Sequence, residues 1–277
     1  GKMVSALRRL GFDKVFDTNF GADVTIVEEA NEFIDRLKNG GSLPILTSCC
    51  PSWVKFIEHQ FPNLIDIPSS CKSPHMILGV LTKTYYADKY NLDPKKIVVV
   101  SVMPCISKKY EIIREEMVND GLKNVDHVIT TRELIAMLTE AGIDFKNLPE
   151  DDFDNPLGIS TGAADIFGTT GGVIEAALRT SYEWLTGKEL KDVDFHGVRG
   201  LDGLKEATVD INGMEVKIGV AHGLGNAREL LKSIEKGEAH YHAIEIMACP
   251  GGCIDGGGQP YHMGDMELVK ARAAGLY

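Results

Sequence analysis

Residues 245–260 read EIMACPGGCIDGGGQP, a strand pattern that runs into a cysteine-bearing turn. The apolar run His242 to Met247 predicts a β-strand, and a Pro-Gly-Gly turn then separates Cys249 from Cys253. Two cysteines in one tight turn can reach a single inorganic cluster, and the glycines that follow let the backbone approach it because they have no Cβ. We therefore expect an α/β fold with a ligand site at the carboxyl end of this strand.

Two further predicted strands also end at cysteines. Leu43 to Leu46 leads into Thr47-Ser48-Cys49-Cys50, and Ile97 to Val100 leads into Met103-Pro104-Cys105. The β-branched residues of the second run predict a strand that is buried on both faces. Because ligands gather at the carboxyl ends of strands in open α/β sheets, we expect these cysteines to converge with Cys249 and Cys253 on one site.

The rest of the chain alternates between helical and strand patterns. Apolar periodicity predicts helices at 2–10, 23–38, 51–61, 74–89, 108–117, 173–185 and 225–236, and a Thr130 and Glu133 capping box predicts another to Ala141. Asn212-Gly213 predicts a type I′ hairpin between two strands. The alternation predicts an α/β fold with mainly parallel β-sheets flanked by helices, in two lobes with the active site in the cleft between them.

Length and charge exclude several classes of protein. The 277 residues are close to the largest size that one hydrophobic core serves, so we predict a single domain over residues 1–277 with two lobes. The net charge of −11 argues against nucleic acid as a partner. The longest uncharged apolar stretch, Ile97 to Met103, is far shorter than the roughly 20 residues of a membrane-spanning helix, so we expect no membrane insertion.

The first residues, Gly1 to Leu10, form an amphipathic helical pattern. Arg8 and Arg9 interrupt any apolar region that could serve as an export signal, and no such region follows them. We therefore expect a cytoplasmic protein, or a periplasmic one if an upstream signal or a small subunit is missing here. The chain starts without Met and within a helical pattern, which predicts a fragment or a processed subunit.

The six cysteines admit several interpretations. A buried free thiol is the simplest, and we assign it to Cys71. The other five lie beside Pro and Gly at strand ends, where backbone amides can face sulfur, and this favours a metal site. Gly256 stands where a radical S-adenosylmethionine motif would have a third cysteine. Three separated loops with flanking methionines suit a large, soft cluster better than zinc.

Three of these segments resemble the signatures of a known family. In order, they are Thr47-Ser48-Cys49-Cys50-Pro51, Met103-Pro104-Cys105-Ile106-Ser107-Lys108-Lys109-Tyr110-Glu111 and residues 245–260. Together they are similar to the active-site domain of iron-only, or [FeFe], hydrogenases, and the resemblance covers essentially the whole chain. Family members usually have a further segment before residue 1 and a tail after residue 277, so the chain resembles a large-subunit domain truncated at both ends.

The resemblance implies an H-cluster, in which a [4Fe-4S] cluster is joined through one cysteine sulfur to a diiron subcluster with CO, cyanide and a bridging dithiolate amine. By motif, its ligands are Cys50, Cys105, Cys249 and the bridging Cys253. A set of four cysteines is also what a [4Fe-4S] cluster requires. Two adjacent cysteines do not easily take two corners of one cubane, so one of Cys49 and Cys50 is left over. In the family, the first of the pair donates and accepts the proton.

The resemblance also implies the surroundings of the diiron subcluster. Lys108 lies against a cyanide, Ser73 with Pro74 forms a second contact, and the apolar walls are Met103, Met247 and Phe167. An ammonium group is a natural partner for an anionic ligand, and thioethers and aromatic rings keep water away from iron. Without the resemblance, Lys108 would be read as a solvated residue of a charged helix and the two methionines as core residues.

A proton path is implied as well, from Cys49 through Glu29, Ser69 and Glu32 to Arg36. Glu29 and Glu32 share a helical face with Arg36, although a solvated face with salt bridges would show the same spacing. A carboxyl group that passes on protons should be buried enough for its pKa to rise toward neutrality.

These implications define the expected function and its alternatives. We expect reversible conversion of protons and electrons to H₂, with ferredoxin or an electron-transfer subunit and maturation proteins as partners. An H₂ sensor and an iron–sulfur assembly or regulatory relative are the alternatives, and infrared bands of CO and cyanide would exclude the second. Two residues depart from the family pattern: Ser52, where Gly is common, and His75, either a residue that tunes the cluster or a surface histidine.

Overall fold

The computed structural model describes residues 1–190, 196–197 and 203–276. Its strands, numbered along the chain, are β1 (Ile45–Leu46), β2 (Val100–Met103), β3 (Val118–Asn119), β4 (Leu122–Lys123), β5 (His127–Thr130), β6 (His196–Gly197), β7 (Leu204–Ile211), β8 (Met214–His222) and β9 (Ala243–Met247). Its helices are α1 (Lys2–Arg9), α2 (Thr18–Asn39), α3 (Pro51–Gln60), α4 (Pro74–Leu81), α5 (Ala87–Lys89), α6 (Lys108–Glu111), α7 (Thr131–Glu140), α8 (Gly172–Thr186), α9 (Leu224–Glu235) and α10 (Met266–Ala274). The predicted α/β class is confirmed.

The larger sheet has the strand order β1-β9-β8-β7-β6. Strands β1, β9 and β8 run parallel, whereas β7 is antiparallel to both of its neighbours. The sheet is therefore mixed rather than mainly parallel. The antiparallel part begins at the predicted hairpin, where Asn212 and Gly213 have φ values of 54° and 84°, as a type I′ turn requires.

Side chains on both faces of this sheet are buried under helices. On one face, Leu46 and Ile244 pack with Trp53 and Ile57 of α3 and with α9. On the other, Phe33 of α2 and helix α8 cover Val216 and Ile218. Because β1 and β9 are neighbours and parallel, the segments that follow them begin at the same edge of the sheet. Cys49 and Cys50 follow β1, and Cys249 follows β9.

A second, two-stranded sheet pairs β2 with β5 in parallel. The prediction that Ile97 to Val100 form a strand buried on both faces is wrong, because β2 begins at Val100 and Val98 is 65% exposed. The physical reason is that β-branched residues favour extended backbone but do not create a cover. The small sheet packs on both faces, with Val102 and Ile129 against α1 and α7 and with Val128 and Met103 against Met76 of α4, but this cover does not reach Val98.

Several helices differ in length from the predictions. Helix α2 begins five residues earlier than residue 23, because Asp17 accepts a hydrogen bond from the amide of Asn19 and caps it. Helix α6 ends at Glu111 instead of Met117, and turns lead from it to the β3–β4 hairpin. The Thr130 and Glu133 capping box is confirmed. In the described residues, no helix is both long and apolar enough to cross a membrane.

Candidate functional site

The loop after Cys253 touches the loop that carries Cys105. The amide of Gly258 donates a hydrogen bond to the carbonyl oxygen of Pro104 over 2.8 Å. A Cβ at Gly256 would lie 2.3 Å from the same oxygen, and one at Gly258 would lie 2.8 Å from the carbonyl carbon of Pro104. The glycines are therefore required here by a close approach of two backbones, rather than by an unusual φ.

The Cys49-Cys50 turn is fixed beside β9. The amide of Thr47 donates to the carbonyl oxygen of Ile244 over 3.0 Å, and the indole of Trp53 donates to the carbonyl oxygen of Thr47 over 2.7 Å. Cys50 is the residue before α3, and its carbonyl oxygen accepts the first helical bond, from Val54. This end of the sheet therefore holds two of the cysteine-bearing segments, and the Pro104–Gly258 contact brings in the third.

The four predicted ligand thiols interact with one another. Burial, followed by charge on Cys50 and Cys105, raises the pKa of Cys253 to about 12 and that of Cys249 to about 11. Within the described residues, no group of three or more His, Cys, Asp or Glu side chains is close enough to hold a single metal ion. Four cysteine thiols that interact electrostatically fit the four-cysteine ligand set of a [4Fe-4S] cluster.

The Cys249–Cys253 turn is also held from a third direction. The amide of Thr170 donates to the carbonyl oxygen of Gly251 over 3.0 Å, and the amide of Gly251 donates to Nδ1 of His222 over 3.3 Å. Gly252 has φ of 106°, and a Cβ there would lie 2.8 Å from the carbonyl oxygen of Gly168. The segment after Phe167 is thus fixed against the turn.

Lys108 lies in a buried hydrogen-bonded network that the sequence analysis did not find. Its Nζ donates to the carbonyl oxygen of Cys49 and to Oε2 of Glu111, both over 2.8 Å. The same Oε2 lies 2.7 Å from Nε2 of His75, whose Nδ1 lies 3.0 Å from Oγ of Ser101. The interpretation of His75 as a surface residue is wrong, because the ring is buried. The only sequence signal for Glu111 was its position three residues after Lys108.

The network keeps opposite charges paired. Burial alone would raise the pKa of Glu111, but the charge of Lys108 and the hydrogen bond from His75 lower it to about 2. Burial works against the charge of Lys108, but Glu111 and the nearby cysteines raise the lysine pKa above its ordinary value. Burial lowers the pKa of His75, and Lys108 lowers it further. At neutral pH the network therefore holds one anion, one cation and one neutral ring.

The other residues expected around the diiron subcluster lie at element ends. Met103 ends β2 and is half-buried, Met247 ends β9 and is buried, and Phe167 is half-buried in the 3₁₀ helix Ala163–Gly168. Ser73 precedes α4, whose first residue is Pro74. The Ser73 side chain is 1% exposed and its hydroxyl has no hydrogen-bond partner. A buried hydroxyl without a partner fits a site that is meant to receive a polar ligand.

Three residues of the predicted proton path form a continuous row. The hydroxyl of Ser69 donates to Oε2 of Glu32 over 3.1 Å, and Nη2 of Arg36 donates to Oε1 of Glu32 over 2.6 Å. Arg36 also donates to the carbonyl oxygens of Ile67 and Pro68. Glu32 and Arg36 thus form the salt bridge that their spacing also allows, with side-chain exposures of 20% and 13%, so the face is salt-bridged but only partly solvated.

Glu29 is buried next to this row, and within the described residues neither of its carboxyl oxygens meets the geometry of a hydrogen bond. Burial raises its pKa to about 7, although the nearby amide of Ser48 and hydroxyl of Ser69 act in the opposite direction. It lines a cavity of about 20 Å³ together with Ser69 and Thr47. Burial, followed by the charge of Glu29, raises the pKa of Cys49 well above its ordinary value. Burial therefore favours the protonated, uncharged form of both groups.

Glu245 is a further buried carboxyl group. On β9, its carboxylate accepts hydrogen bonds from the amides of Gly171 and Ile174 over 2.6 and 3.0 Å. A glutamate inside an apolar strand was a signal in the sequence that the analysis above did not use.

Cys71 is half-buried in an open groove with Glu32, so the prediction of a buried thiol is wrong. Ser52, a departure from the family pattern, shares a hydrogen bond with Ser107 of the Cys105 loop.

Known proteins resemble this chain over its whole length. A family model described as iron only hydrogenase large subunit, C-terminal domain, matches residues 1–257. The chain is 62% identical to the NADP-reducing hydrogenase subunit HndD of Solidesulfovibrio fructosivorans and 50% identical to the periplasmic [Fe] hydrogenase large subunit of Nitratidesulfovibrio vulgaris. All of the chain is covered in both cases, but only 48% and 66% of those relatives.

The fold is found in solved structures as well. A variant of apo [FeFe]-hydrogenase HydA1 from Chlamydomonas reinhardtii matches all of this chain and 77% of its own, with a TM-score of 0.91 and 42% identity. A lower identity, 34% over 93% of this chain and 56% of the relative, relates it to a cytosolic Fe-S cluster assembly factor of Xenopus tropicalis.

Proposed function

Because the chain belongs to the family of the iron-only hydrogenase large subunit, C-terminal domain, we propose that it is the catalytic domain of an [FeFe]-hydrogenase. The observation that carries this proposal is the convergence of three cysteine-bearing segments, with Cys49 left over beside a buried, protonatable Glu29. The chain spans about half to two thirds of the length of the curated relatives, so the activity is proposed for the protein of which this domain is a part.

In this proposal, Cys50, Cys105, Cys249 and Cys253 hold the H-cluster, with Cys253 as the thiolate shared by its two halves. Because iron binds thiolates, binding of the cluster would displace the protons of these thiols. When bound, the H-cluster would supply the redox-active iron for the conversion of protons and electrons to H₂. The remaining chemistry, which is to position ligands, exclude water and move protons, is done by the chain itself.

Two groups of side chains shape the pocket. The ammonium of Lys108 and the unpaired hydroxyl of Ser73 would face the anionic cyanide ligands, which suits a buried cation and a buried donor. Pro74, Met103, Met247 and Phe167 would exclude water, because their side chains offer no strong hydrogen bond. We propose the cleft between the two sheets as the location of this pocket.

Protons would move along the chain's own residues. The Cys49 thiol exchanges a proton with the active site and passes it to Glu29, whose pKa of about 7 allows it to gain and lose protons near neutral pH. The Ser69 hydroxyl then passes a proton to Glu32, to which it already donates a hydrogen bond. Arg36 holds Glu32 in place at the outer end of the path.

The experiment that tests this function compares Cys49→Ala with Cys71→Ala in protein loaded by maturation proteins. We expect Cys49→Ala to lower the rate of H₂ evolution at least about 100-fold, because the loss of a general acid–base group typically lowers a rate by this factor or more. The infrared bands of CO and cyanide should remain. Cys71→Ala removes a thiol outside the proposed set and should keep wild-type turnover. Wild-type turnover of Cys49→Ala would contradict the proton-transfer role.

The 34% identity to a cytosolic Fe-S cluster assembly factor favours a second candidate, a protein that carries cubane clusters only. If this second function is correct, the loaded wild-type protein will show iron–sulfur absorption but no infrared bands of CO or cyanide. An H₂ sensor would show the bands with little turnover.

The proposed electron partner is a ferredoxin or an electron-transfer subunit. The proposed location is the cytoplasm, and the periplasm is the alternative because one relative is named as periplasmic.

A further inference from the structure

We infer that Glu111 and His75 are positioning residues that aim the Lys108 ammonium at the cyanide ligand of the diiron subcluster. This inference rests on the proposed function and deepens it. It starts from the hydrogen-bonded series Ser101, His75, Glu111, Lys108, which ends at the carbonyl oxygen of Cys49.

The number of donors on Lys108 decides what the network can do. An ammonium group has three N–H donors. One is given to the carbonyl oxygen of Cys49 and one to Oε2 of Glu111, both at 2.8 Å. Two fixed bonds on a tetrahedral nitrogen determine the direction of the third. Glu111 and Cys49 therefore decide where the remaining donor points, and a flexible four-carbon side chain becomes a directed one.

His75 fixes Glu111 in the same manner. An ionised carboxylate only accepts, so Nε2 of His75 must carry the proton in the 2.7 Å contact with Oε2. Nδ1 is then an acceptor, and the Ser101 hydroxyl donates to it over 3.0 Å. Each member thus has one defined role, and each is buried, with Glu111 and His75 both 3% exposed. A solvated salt bridge would not need this support.

The network also connects separate parts of the fold. Ser101 lies on β2, His75 on α4, and Lys108 and Glu111 on α6, while Cys49 follows β1. A displacement of Glu111 would therefore alter both the free Lys108 donor and the backbone next to the proposed proton-carrying thiol. Partners one step behind a directly contacting residue typically change activity about 10- to 100-fold when they are lost.

The test uses infrared spectra of the loaded protein in four variants. Glu111→Gln keeps the shape of the side chain and removes its charge, His75→Leu removes the donor, and His75→Gln restores a donor. Lys109→Gln is the matched control, because Lys109 lies on the same helix but pairs with Glu133 at the surface. We expect displaced cyanide bands and a kcat lowered about 10- to 100-fold in Glu111→Gln, with a smaller displacement in His75→Leu. His75→Gln and Lys109→Gln should retain the wild-type bands.

Cyanide bands at the wild-type positions in both Glu111→Gln and His75→Leu would overturn the inference. If Glu111→Gln does not fold, the pair His75→Leu and His75→Gln decides, since displaced bands in the first and wild-type bands in the second are not produced by a general loss of stability. Failure of the proposed function gives a different result, namely no CO or cyanide bands in the loaded wild-type protein.

Discussion

The carboxyl groups of Glu29 on α2 and Glu111 on α6 are almost equally buried, with residue exposures of 4% and 3%. Their pKa values nevertheless differ widely, at about 7 for Glu29 and about 2 for Glu111. Within the described residues, Glu29 makes no hydrogen bond, whereas Glu111 is bonded to Lys108 and His75. At equal burial, a charged partner therefore decides whether a buried carboxyl group keeps its proton or its charge.

The surroundings of the two groups follow the same division. Around Glu29, the Cys49 thiol has a raised pKa and Thr47 has an unpaired hydroxyl. Around Glu111, every side chain of the network is paired, and the Pro104–Gly258 contact leaves no space between two backbones. The surroundings of Glu29 therefore leave polar groups unpaired within the described residues, whereas those of Glu111 pair every side chain of the network.

The largest effect is expected for Glu29→Gln, which tests whether the Glu29 carboxyl group carries protons. It keeps the shape of a neutral carboxyl group but cannot exchange a proton at pH 7, so we expect H₂ evolution to fall at least about 100-fold. The infrared bands of the loaded protein should not change, since Glu29 holds no part of the cluster. Glu28→Gln, at an exposed position of the same helix, is the control. Equal turnover in the two variants would show that Glu29 does not carry protons.

The pH dependence of stability should separate the two carboxyl groups by sign. Between the ordinary pKa of 4.5 and the folded value of about 7, unfolded Glu29 has lost its proton and folded Glu29 keeps it. The free energy of unfolding therefore falls as the pH rises, by about 3 kcal/mol for this group. Glu111 acts oppositely, because its stabilisation is complete above pH 4.5 and is lost as the pH falls toward about 2.

Urea titrations of the unloaded protein and its variants measure this effect. From pH 4.5 to 7, the stability of Glu29→Gln relative to wild type should rise, while that of Glu111→Gln should stay constant and change only at lower pH. A constant difference for Glu29→Gln across this range would mean that its carboxyl group titrates as it does in water.

The smallest effect is expected at the contact between Pro104 and the glycine loop after Cys253. Gly256→Ala places a methyl group 2.3 Å from the carbonyl oxygen of Pro104, so the two loops must separate. We expect a loss of about 1–3 kcal/mol in stability and less iron bound after reconstitution. Gly257→Ala is the control, since its Cβ meets only the Ile106 side chain, at 3.4 Å. Equal iron content in both variants would contradict a tight Pro104–Gly258 contact.

Local signals predicted much of the fold. The capping box at Thr130 and the Asn212-Gly213 turn depend on residues close in sequence, and both are confirmed. The position of β2 was predicted wrongly, because β-branched residues do not reveal which neighbours will cover a strand. The mixed direction of the larger sheet was likewise not visible from the alternation of elements.

The candidate site shows the same limit. The cysteines were found because each lies beside a Pro or Gly at a strand end, and the need for a buried Glu29 followed from its expected task. The pairing of Glu111 with His75 was missed, because the two lie 36 residues apart and neither is unusual on its own. Long-range partners that settle a charge are set by packing and not by local pattern.

The contact between Pro104 and Gly258 also orders events during synthesis. These residues are 154 positions apart in the sequence. When the ribosome has made Cys50 and Cys105, the set of four proposed ligand thiols is still incomplete, and it closes only when the loop with Gly258 packs against Pro104. Cluster binding must therefore wait until the chain has been made past Cys253, and a chain released by a stop codon before Cys249 would leave Cys50 and Cys105 without the other two ligands of the set.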